Sequence, residues 1–352
     1  MVENDRPLVI EELIPVELGD HDVEVEIEAS GVCHSDLTML EGLLPPPAIL
    51  GHEGAGVVRS IGRDVTRVRV GDRVIASFTP ACGDCWFCCH DASQHCKRTF
   101  RLATTTRCHR VDGTPVLVAS GLGTFAETIH THEASLVTVR TDLPSDQLAL
   151  IGCGVTTGVG AALNTAPVRP GDVVAVIGCG GVGQFVVQGA RIAGASAIVA
   201  VDPSASKRAA ASTVGATHAI DPSDGGMVDE LKAMTGGRGV DVAFEVVGRP
   251  ELVRQAFDST RAAGTTVIVG MSALDAEVTL PLFDWFHLEK RVLGCNYGSA
   301  QVRREFPRLV ALAESGSLDI GAAVTRVRPL VEVNDAFDDL RAGTVVRTVL
   351  HP

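Results

Sequence analysis

A glycine-rich turn between an apolar strand and a helix restricts most strongly how this chain can fold. Residues 173–177, Val-Val-Ala-Val-Ile, are apolar throughout, and Gly178-Cys-Gly-Gly-Val-Gly183 follows them directly, opening a helix-forming stretch that runs to Ala193. Such an apolar run predicts a strand that is buried on both faces, as in a parallel sheet. The glycines permit a tight turn and let a phosphate approach the positive end of the helix. The sequence therefore predicts an α/β nucleotide-binding fold here.

The segments after this turn alternate between strand and helix, which predicts a doubly wound parallel sheet. The predicted strands are Ala197–Val201, Val240–Val246 and Thr265–Val269, and the stretch Lys207–Val214 is predicted to be helical. Asp202 follows the second strand, where an acid binds the ribose hydroxyls of NAD and repels the additional phosphate of NADP. Lys207 and Arg208 favour a phosphate, but the acid makes NAD the predicted cofactor. The alternative is a glycine-rich turn that binds nothing.

The two ends of the chain have a different pattern. Before residue 150 we expect strands at Val23–Glu28, at Gly56–Val65 and at Val68–Val74 around a turn at Gly71-Asp72, and no long helix. After about residue 296 we expect a helix at Glu305–Ser315 and a strand at Val345–Leu350. The first of these strands alternates apolar and acidic side chains, which is typical of a half-buried strand. A β-rich region therefore precedes the α/β region.

Composition and charge exclude several classes of protein. The chain is 45% hydrophobic and 21% charged, as globular proteins are, and its net charge of −13 would repel nucleic acid and anionic membranes. Met1–Arg6 lacks the basic and then apolar pattern of a secretion signal. The apolar stretches Leu148–Leu163 and Val173–Val201 are interrupted by glycines and polar residues, so they do not predict membrane spans. The sequence predicts a cytoplasmic protein.

Five of the ten cysteines fall within residues 82–96. Cys82, Cys85, Cys88 and Cys96 have the spacing C-x2-C-x2-C-x7-C, which predicts a structural zinc with four thiolate ligands. An iron–sulfur cluster is the alternative, whereas unligated thiols in such a loop would be prone to oxidation. Cys89 competes with Cys88, but Cys88 keeps the regular two-residue gaps.

Cys33, His52 and Cys153 are weak candidates when each is taken alone. A single buried cysteine usually behaves as a small apolar residue, and a single histidine beside a glycine is more often structural than a ligand. Together, two cysteines and one histidine form the ligand set of the catalytic zinc in alcohol dehydrogenases, which leaves one metal position open.

Several further stretches carry a resemblance that extends along the whole chain. They are Gly31–Asp36, Gly51–Gly56, Gly71–Val74, the four-cysteine loop, Gly152–Gly154, Gly178–Gly183, Phe244–Gly248 and Val346–Thr348. On these residues the chain resembles the zinc-dependent medium-chain alcohol dehydrogenase family, in its class III-like branch. The resemblance implies a GroES-like β-rich catalytic domain, residues 1–154 and 297–352, and a doubly wound Rossmann domain that binds NAD, residues 155–296.

The resemblance also implies roles for individual residues. Cys33, His52 and Cys153 would bind a catalytic zinc with Glu53 beside it, and the four-cysteine loop would bind a structural zinc. Ser35 would accept the substrate proton, and Asp36 would orient His52. The cofactor would contact His34, Thr157, Gly178, Gly180, Gly181, Val182, Gly183, Asp202, Lys207 and Arg347, and the substrate pocket would contain Phe78, Phe125 and Met271.

The implied activity is hydride transfer between NAD and a primary or aromatic alcohol, or its aldehyde, by a homodimer with two zinc ions per subunit. The dimer is inferred from the long stretch Lys97–Thr124, which could equally be a surface loop. The chain has Thr38 where several members have the histidine that ends the proton relay. It has Phe100 beside Arg101 where dehydrogenases of the formaldehyde–glutathione adduct have an arginine. A formaldehyde–thiol adduct is the alternative substrate, and a non-catalytic sensor that binds NAD(H) and zinc is an alternative of another class.

Overall fold

The computed structural model describes residues 7–99, 102 and 105–352. The chain divides into two compact units, described separately below. The first unit comprises the residues up to Cys153 together with Gln301–Gly316 and Ala323–Pro352, and the second comprises Gly154–Ala300 and Ser317–Ala322. The domain limits implied by the resemblance stay a prediction, since compact units need not coincide with functional domains.

The strands of the described part are β1 (Ile14–Pro15), β2 (Asp22–Val32), β3 (Ala48–Ile49), β4 (Glu53–Ile61), β5 (Arg73–Ala76), β6 (Cys108–His109), β7 (Pro115–Val118), β8 (Thr128–His132), β9 (Leu136–Thr138), β10 (Val173–Ile177), β11 (Ala197–Val201), β12 (His218–Ile220), β13 (Val240–Glu245), β14 (Thr260–Ile268), β15 (Arg291–Gly294), β16 (Val324–Pro329) and β17 (Arg347–His351). The main helices outside residues 145–165 span His34–Thr38, Trp86–Cys89, Gly183–Ile192, Ala205–Thr213, Met227–Ala233, Pro250–Ser259, Leu282–His287, Val302–Glu314 and Val333–Ala342.

The second unit contains a six-stranded sheet in the order β12-β11-β10-β13-β14-β15, and every pair of neighbours is parallel. Separate buried apolar clusters lie around it, one including Val174 and Val186 and the other Ala175 and Leu231. The strand order reverses between β10 and β13, which is the point where doubly wound sheets bind nucleotides. The predicted doubly wound parallel sheet is therefore confirmed.

The predicted segments of the second unit agree closely with the observed ones. Strands β10 and β11 have the predicted bounds, and β13 ends one residue earlier than predicted. Strand β14 begins five residues before the predicted Thr265, and the helix Ala205–Thr213 begins two residues before Lys207. The largest differences lie at strand and helix ends, where pattern alone is a weak guide.

The first unit is β-rich, as predicted. Its larger sheet has the order β16-β17-β2-β4-β5-β9, with β8 also paired to β2, and its smaller sheet has the order β1-β6-β7-β3. Val23, Val25 and Ile27 are buried, so the alternating pattern does identify β2. The turn predicted at Gly71-Asp72 is present, because Asp72 accepts the N–H of Arg69, but only the part after it forms a strand, β5.

One long helix, most of which lies after residue 150, was not predicted from the sequence. A helix runs from Ser145 to Thr165 and is long and apolar enough to cross a membrane by length and composition. However, 78% of its most apolar window is buried inside the protein, as in a core helix. A helix that is apolar on all sides has no amphipathic periodicity, which is the sequence signal that predicts a helix.

Glu133 connects two loops of the first unit. One carboxylate oxygen accepts the backbone N–H groups of Thr66 and Arg67, both at 2.9 Å, and the other lies 2.9 Å from Nδ1 of His21. Burial would raise the pKa of Glu133, but these hydrogen bonds lower it below its ordinary value of 4.5. The ionised carboxylate therefore stabilises the folded state.

We expect Glu133→Gln to lower the free energy of unfolding at pH 7 by about 1 kcal/mol, because an amide accepts these bonds less strongly than a carboxylate. A group whose folded pKa is lowered adds stability above its unfolded pKa and loses it as the pH falls through the folded pKa. The difference between variant and wild type should therefore shrink below about pH 4.5. Urea unfolding at several pH values measures this, with Glu26→Gln, which removes an exposed ion pair to Arg59, as a control of smaller effect.

Candidate active site

A cluster of four buried potential metal ligands lies in the first unit. It consists of Cys33, His52, Glu53 and Cys153, and one ligand atom from each lies within 4.8 Å of all the others. Cys33 directly follows β2, His52 and Glu53 stand at the start of β4, and Cys153 comes from the long helix. Two thiols, an imidazole and a carboxylate in one buried group are a donor set suited to zinc.

The carboxylate of Asp36 fixes the orientation of this cluster. It accepts the backbone N–H of Cys33 at 3.0 Å and of Gly51 at 3.1 Å, and it lies 2.9 Å from Nδ1 of His52. Burial opposes charge on the ring, but the Asp36 carboxylate raises the pKa of His52 well above its usual value. The carboxylate accepts the hydrogen on Nδ1, so Nε2 is the nitrogen that can bind a metal when it gives up its own proton.

The two thiols of the cluster have opposite pKa shifts. Hydrogen bonding from Cys153 lowers the pKa of Cys33 well below that of a free thiol, and the same interaction together with burial raises the pKa of Cys153. These shifts favour a thiolate at Cys33 and a proton on Cys153. A divalent cation would replace that proton and make both sulfurs thiolate ligands, so the sulfur pair fits a metal.

Glu53 pairs with Arg347, although 294 residues separate them in sequence. Both side chains are buried, and burial raises the pKa of Glu53 while Arg347 opposes this shift. Among the described residues, Oε1 of Glu53 and Nε of Arg347 are buried without a hydrogen-bond partner. The free carboxylate oxygen fits the predicted position of Glu53 beside a metal, and the guanidinium that was expected near the cofactor lies against this carboxylate.

Other predicted site residues surround the cluster. The hydroxyl oxygen of Ser35 lies 3.7 Å from Sγ of Cys33, and the ring of Phe78 contacts the His52 ring edge-on at 5.5 Å between centroids. His34 is exposed at the start of the helix His34–Thr38. The hydroxyl of Thr38 donates to the carbonyl of His34 at 3.2 Å.

The four-cysteine loop forms a second group in the first unit. Ligand atoms of Cys82, Cys85, Cys88 and Cys96 all lie within 4.8 Å of one another. The Sγ atoms of Cys82 and Cys88 are 3.8 Å apart and those of Cys85 and Cys96 are 4.0 Å apart. Zinc–sulfur bonds of about 2.3 Å in a tetrahedron require edges of about 3.8 Å. Cys89 is outside this group, with its sulfur 3.7 Å from the carbonyl of Gly83.

The glycine-rich turn of the second unit connects β10 to the helix Gly183–Ile192. Gly178 has a φ of +94°, and a Cβ atom at Gly183 would lie 2.0 Å from the carbonyl oxygen of Gly178. A Cβ atom at Gly180 would have no described atom within 4 Å, so the backbone there is open to a ligand. Gln184 holds the turn by donating to the carbonyls of Cys179 and Lys207 at 2.8 and 3.1 Å.

Asp202 lies next to this turn, at the carboxyl end of β11. Its carboxylate accepts the N–H of Cys179 at 2.9 Å and that of Ser204 at 2.8 Å. Each oxygen keeps a second lone pair, which can accept a hydroxyl. Thr157 and Val182 are also in the second unit and are half-buried.

The three predicted pocket residues are divided between the two units, so their common pocket stays a prediction. Phe125 is buried in a cluster with Phe337 and lines a cavity of about 700 Å³ in the first unit. None of Cys33, His52, Glu53 and Cys153 lines that cavity. Met271 belongs to the second unit and is half exposed. Phe100 and Arg101, on which the alternative substrate was weighed, lie outside the described residues.

Sequence reasoning missed Gln184 and Glu245, both in the second unit. Glu245 is fully buried at the end of β13, and its Oε1 accepts the N–H groups of Val247 at 2.9 Å and Gly248 at 2.7 Å. The only signal for Gln184 was a polar residue on the otherwise apolar face of its helix, whereas Glu245 lies in the matching stretch Phe244–Gly248 but was given no role.

Comparison with known families covers most of the chain. Residues 19–141 match the model of an alcohol dehydrogenase GroES-like domain, and residues 181–315 match that of a zinc-binding dehydrogenase. The chain is 38% identical over 362 residues to the S-(hydroxymethyl)glutathione dehydrogenase of Saccharomyces cerevisiae, covering 98% of this chain and 93% of the relative. It is 36% identical to the class-3 alcohol dehydrogenase of Cereibacter sphaeroides, covering 99% and 97% of the two chains.

Two solved structures have a similar fold. The benzyl alcohol dehydrogenase of Acinetobacter calcoaceticus has a TM-score of 0.89 at 32% identity and covers 96% of this chain and 94% of its own. A putative zinc-binding dehydrogenase from Sinorhizobium meliloti 1021, bound to NADP, has a TM-score of 0.80 at 28% identity with the same coverage.

We expect Cys85→Ser to remove one zinc per chain and to lower the thermal-unfolding midpoint by several degrees, because a closed four-thiolate site contributes to folding stability. Metal analysis and calorimetry measure both effects. Cys89→Ser is the matched control, since its sulfur lies outside the group, and it should retain full zinc content. A Cys85→Ser protein with unchanged zinc content would exclude this ligand set.

Proposed function

Because the chain belongs to the zinc-dependent medium-chain dehydrogenase family, we propose that it transfers hydride between a primary or aromatic alcohol and NAD. The observation that carries this proposal is the buried group of Cys33, His52, Glu53 and Cys153, whose ligand atoms lie within 4.8 Å of one another. Alcohol dehydrogenase chemistry requires such a group, whereas a non-catalytic sensor does not.

The residues of this cluster fit a zinc ion with an open coordination position. Cys33, Cys153 and Nε2 of His52 would bind it, with the unpaired oxygen of Glu53 beside it. When bound, zinc supplies Lewis acidity that lowers the pKa of an alcohol.

The surrounding residues orient the ligands and move the proton. Asp36 keeps the hydrogen of His52 on Nδ1 and holds the backbone at Cys33 and Gly51. Oγ of Ser35 accepts the alcohol proton and passes it towards solvent. The aromatic ring of Phe78 covers the imidazole and helps to exclude water, which strengthens the electrostatic interactions of the cluster.

The second unit binds the cofactor in this proposal. The open backbone at Gly180 and the N-terminus of the helix Gly183–Ile192 receive the pyrophosphate. The free lone pairs of Asp202 accept the ribose hydroxyls, and its charge favours NAD over NADP. The contacts of His34, Arg347, Thr157 and Val182 with the cofactor remain predictions from the resemblance, and in the first unit Arg347 is buried against Glu53.

Two substrate classes are supported. The structural similarity to a benzyl alcohol dehydrogenase and the aromatic ring of Phe78 favour an aromatic alcohol. The second candidate is a formaldehyde–thiol adduct, because relatives named S-(hydroxymethyl)glutathione dehydrogenase are 38% identical to this chain. We also propose a cytoplasmic homodimer, as the resemblance implies.

The activity is tested by following NADH formation with benzyl alcohol, aliphatic alcohols and S-hydroxymethylglutathione. We expect turnover to require zinc and Cys153→Ser to lower kcat by at least about 100-fold, because a ligand is lost. Fluorescence titration should find NADH binding unchanged in this variant. Cys108→Ser is the control, since Cys108 is a buried thiol of the same unit outside both metal groups. Full activity of Cys153→Ser would contradict the assignment.

The preference for NAD is tested with Asp202→Asn, which keeps an oxygen acceptor for one of the two loop N–H groups and removes the charge. We expect the ratio of kcat/KM for NAD to that for NADP to fall about tenfold or more, because repulsion of the 2′-phosphate is removed. An unchanged ratio would exclude Asp202 as the discriminating acid. A wild-type protein that prefers NADP would also exclude this role of Asp202.

A further inference from the structure

Arg208 of the second unit is held by two oxygen acceptors next to the proposed ribose site. Its Nη1 donates to the backbone carbonyl of Asp202 at 2.6 Å and lies 3.0 Å from the carboxylate of Asp221. Nη1 therefore faces one backbone carbonyl and one carboxylate. The side chain is only 19% exposed, so this base is not a mobile surface arginine.

Asp221 is held in turn by its own loop. It follows β12 as Asp202 follows β11, and these strands are parallel neighbours in which Val201 pairs with Ile220. Its Oδ1 accepts the N–H of Ser223 at 3.1 Å and the hydroxyl of Ser223 at 2.5 Å, which leaves Oδ2 to face Arg208. The parallel sheet therefore brings two carboxylates to the same edge, with one arginine between them.

Lys207, the neighbouring base, differs from Arg208 in its ion pairing. Within the described part of the chain its ammonium makes no ion pair within 4.0 Å, whereas Arg208 is paired with Asp221. Only one of the two bases that favour a phosphate in this sequence is therefore neutralised by a carboxylate.

We propose that Asp221 is a second determinant of cofactor specificity, because it holds Arg208 and offsets its charge so that the guanidinium does not bind the 2′-phosphate of NADP. This inference rests on the proposed function. Asp202 acts by direct repulsion of the phosphate, and Asp221 acts by withholding the base that would attract it. The discrimination against NADP is thus shared between two acids 19 residues apart in sequence.

The charges near the ribose explain why removal of Asp221 changes the preference. Asp202 and Asp221 balance Lys207 and Arg208, so the edge of the sheet has no net positive charge from these four groups. A 2′-phosphate carries between one and two negative charges and is bound best by a guanidinium with free N–H groups. Without Asp221 the net charge of the remaining groups becomes positive, and the Arg208 side chain can turn towards a phosphate.

The test compares Asp221→Asn with the wild type for NAD and NADP. Asparagine keeps an oxygen for the Ser223 bonds but presents no negative charge to Arg208. We expect kcat/KM for NADP, relative to that for NAD, to rise about tenfold, with NADPH binding strengthened by a similar factor in fluorescence titration. Because Asp221 is 46% exposed, we expect its replacement to leave the fold intact, which thermal unfolding verifies.

The double variant Asp221→Asn/Arg208→Ala separates this mechanism from simple removal of charge. We expect the gain in NADP use to disappear in the double variant, because it depends on the released guanidinium. A gain that persists without Arg208, or an equal gain in Asp258→Asn, would overturn the proposal. Asp258 is a matched control, since it pairs with Arg254 elsewhere in the same unit.

Binding to the wild type separates the failure of this inference from the failure of the proposed function. If NADH binds and Asp221→Asn leaves the NAD-to-NADP ratio unchanged, Asp221 has no such role while the dehydrogenase proposal stands. If neither NADH nor NADPH binds to the wild type, the proposed function fails as well. A wild type that prefers NADP overturns the roles of both acids.

Discussion

The carboxylate of Asp36 is the interaction on which the ligand cluster of the first unit depends. It is fully buried and receives N–H groups from Cys33, Gly51 and His52. A buried carboxylate is tolerated only when it accepts hydrogen bonds, so these donors are required for the burial of Asp36. In return, two loops and one ring are fixed with respect to one another. Hydrogen bonding within the protein therefore contributes to the order of the cluster.

In the second unit, the topology of the parallel sheet brings the residues of the proposed cofactor site together. Every strand from β10 to β14 ends at the same edge, so the residues that follow different strands meet there. Gly178, Asp202, Asp221 and Glu245 all lie at such strand ends, and none is adjacent to another in sequence. Their proximity follows from topology alone. A substitution after one strand can therefore change the electrostatic environment of a side chain that follows the neighbouring strand.

The sequence predicts elements of the fold with a strong local pattern and misses contacts between distant segments. Strand β10 and the glycine turn at Gly178 were predicted to the residue, since an apolar strand and a helix flank the turn. The helix Ser145–Thr165 was missed because it is apolar on all sides. Spacing identified the four-cysteine loop, but the pairing of Glu53 with Arg347 joins segments 294 residues apart that no local pattern connects. The pairing of Arg208 with Asp221 could not be predicted from a local pattern either.

The charges of the buried cluster explain why both of its sulfurs need a cation. Two thiolates with the carboxylates of Asp36 and Glu53 would place four negative charges in a buried group, and Arg347 offsets one of them when His52 is a neutral metal ligand. Without a further cation, Cys153 retains its proton, and the bond between the thiols lowers the pKa of Cys33. A divalent ion offsets two more charges and leaves one. That residual charge is carried by Asp36, where three N–H donors spread it over the surrounding backbone and imidazole, so the site remains compatible with burial.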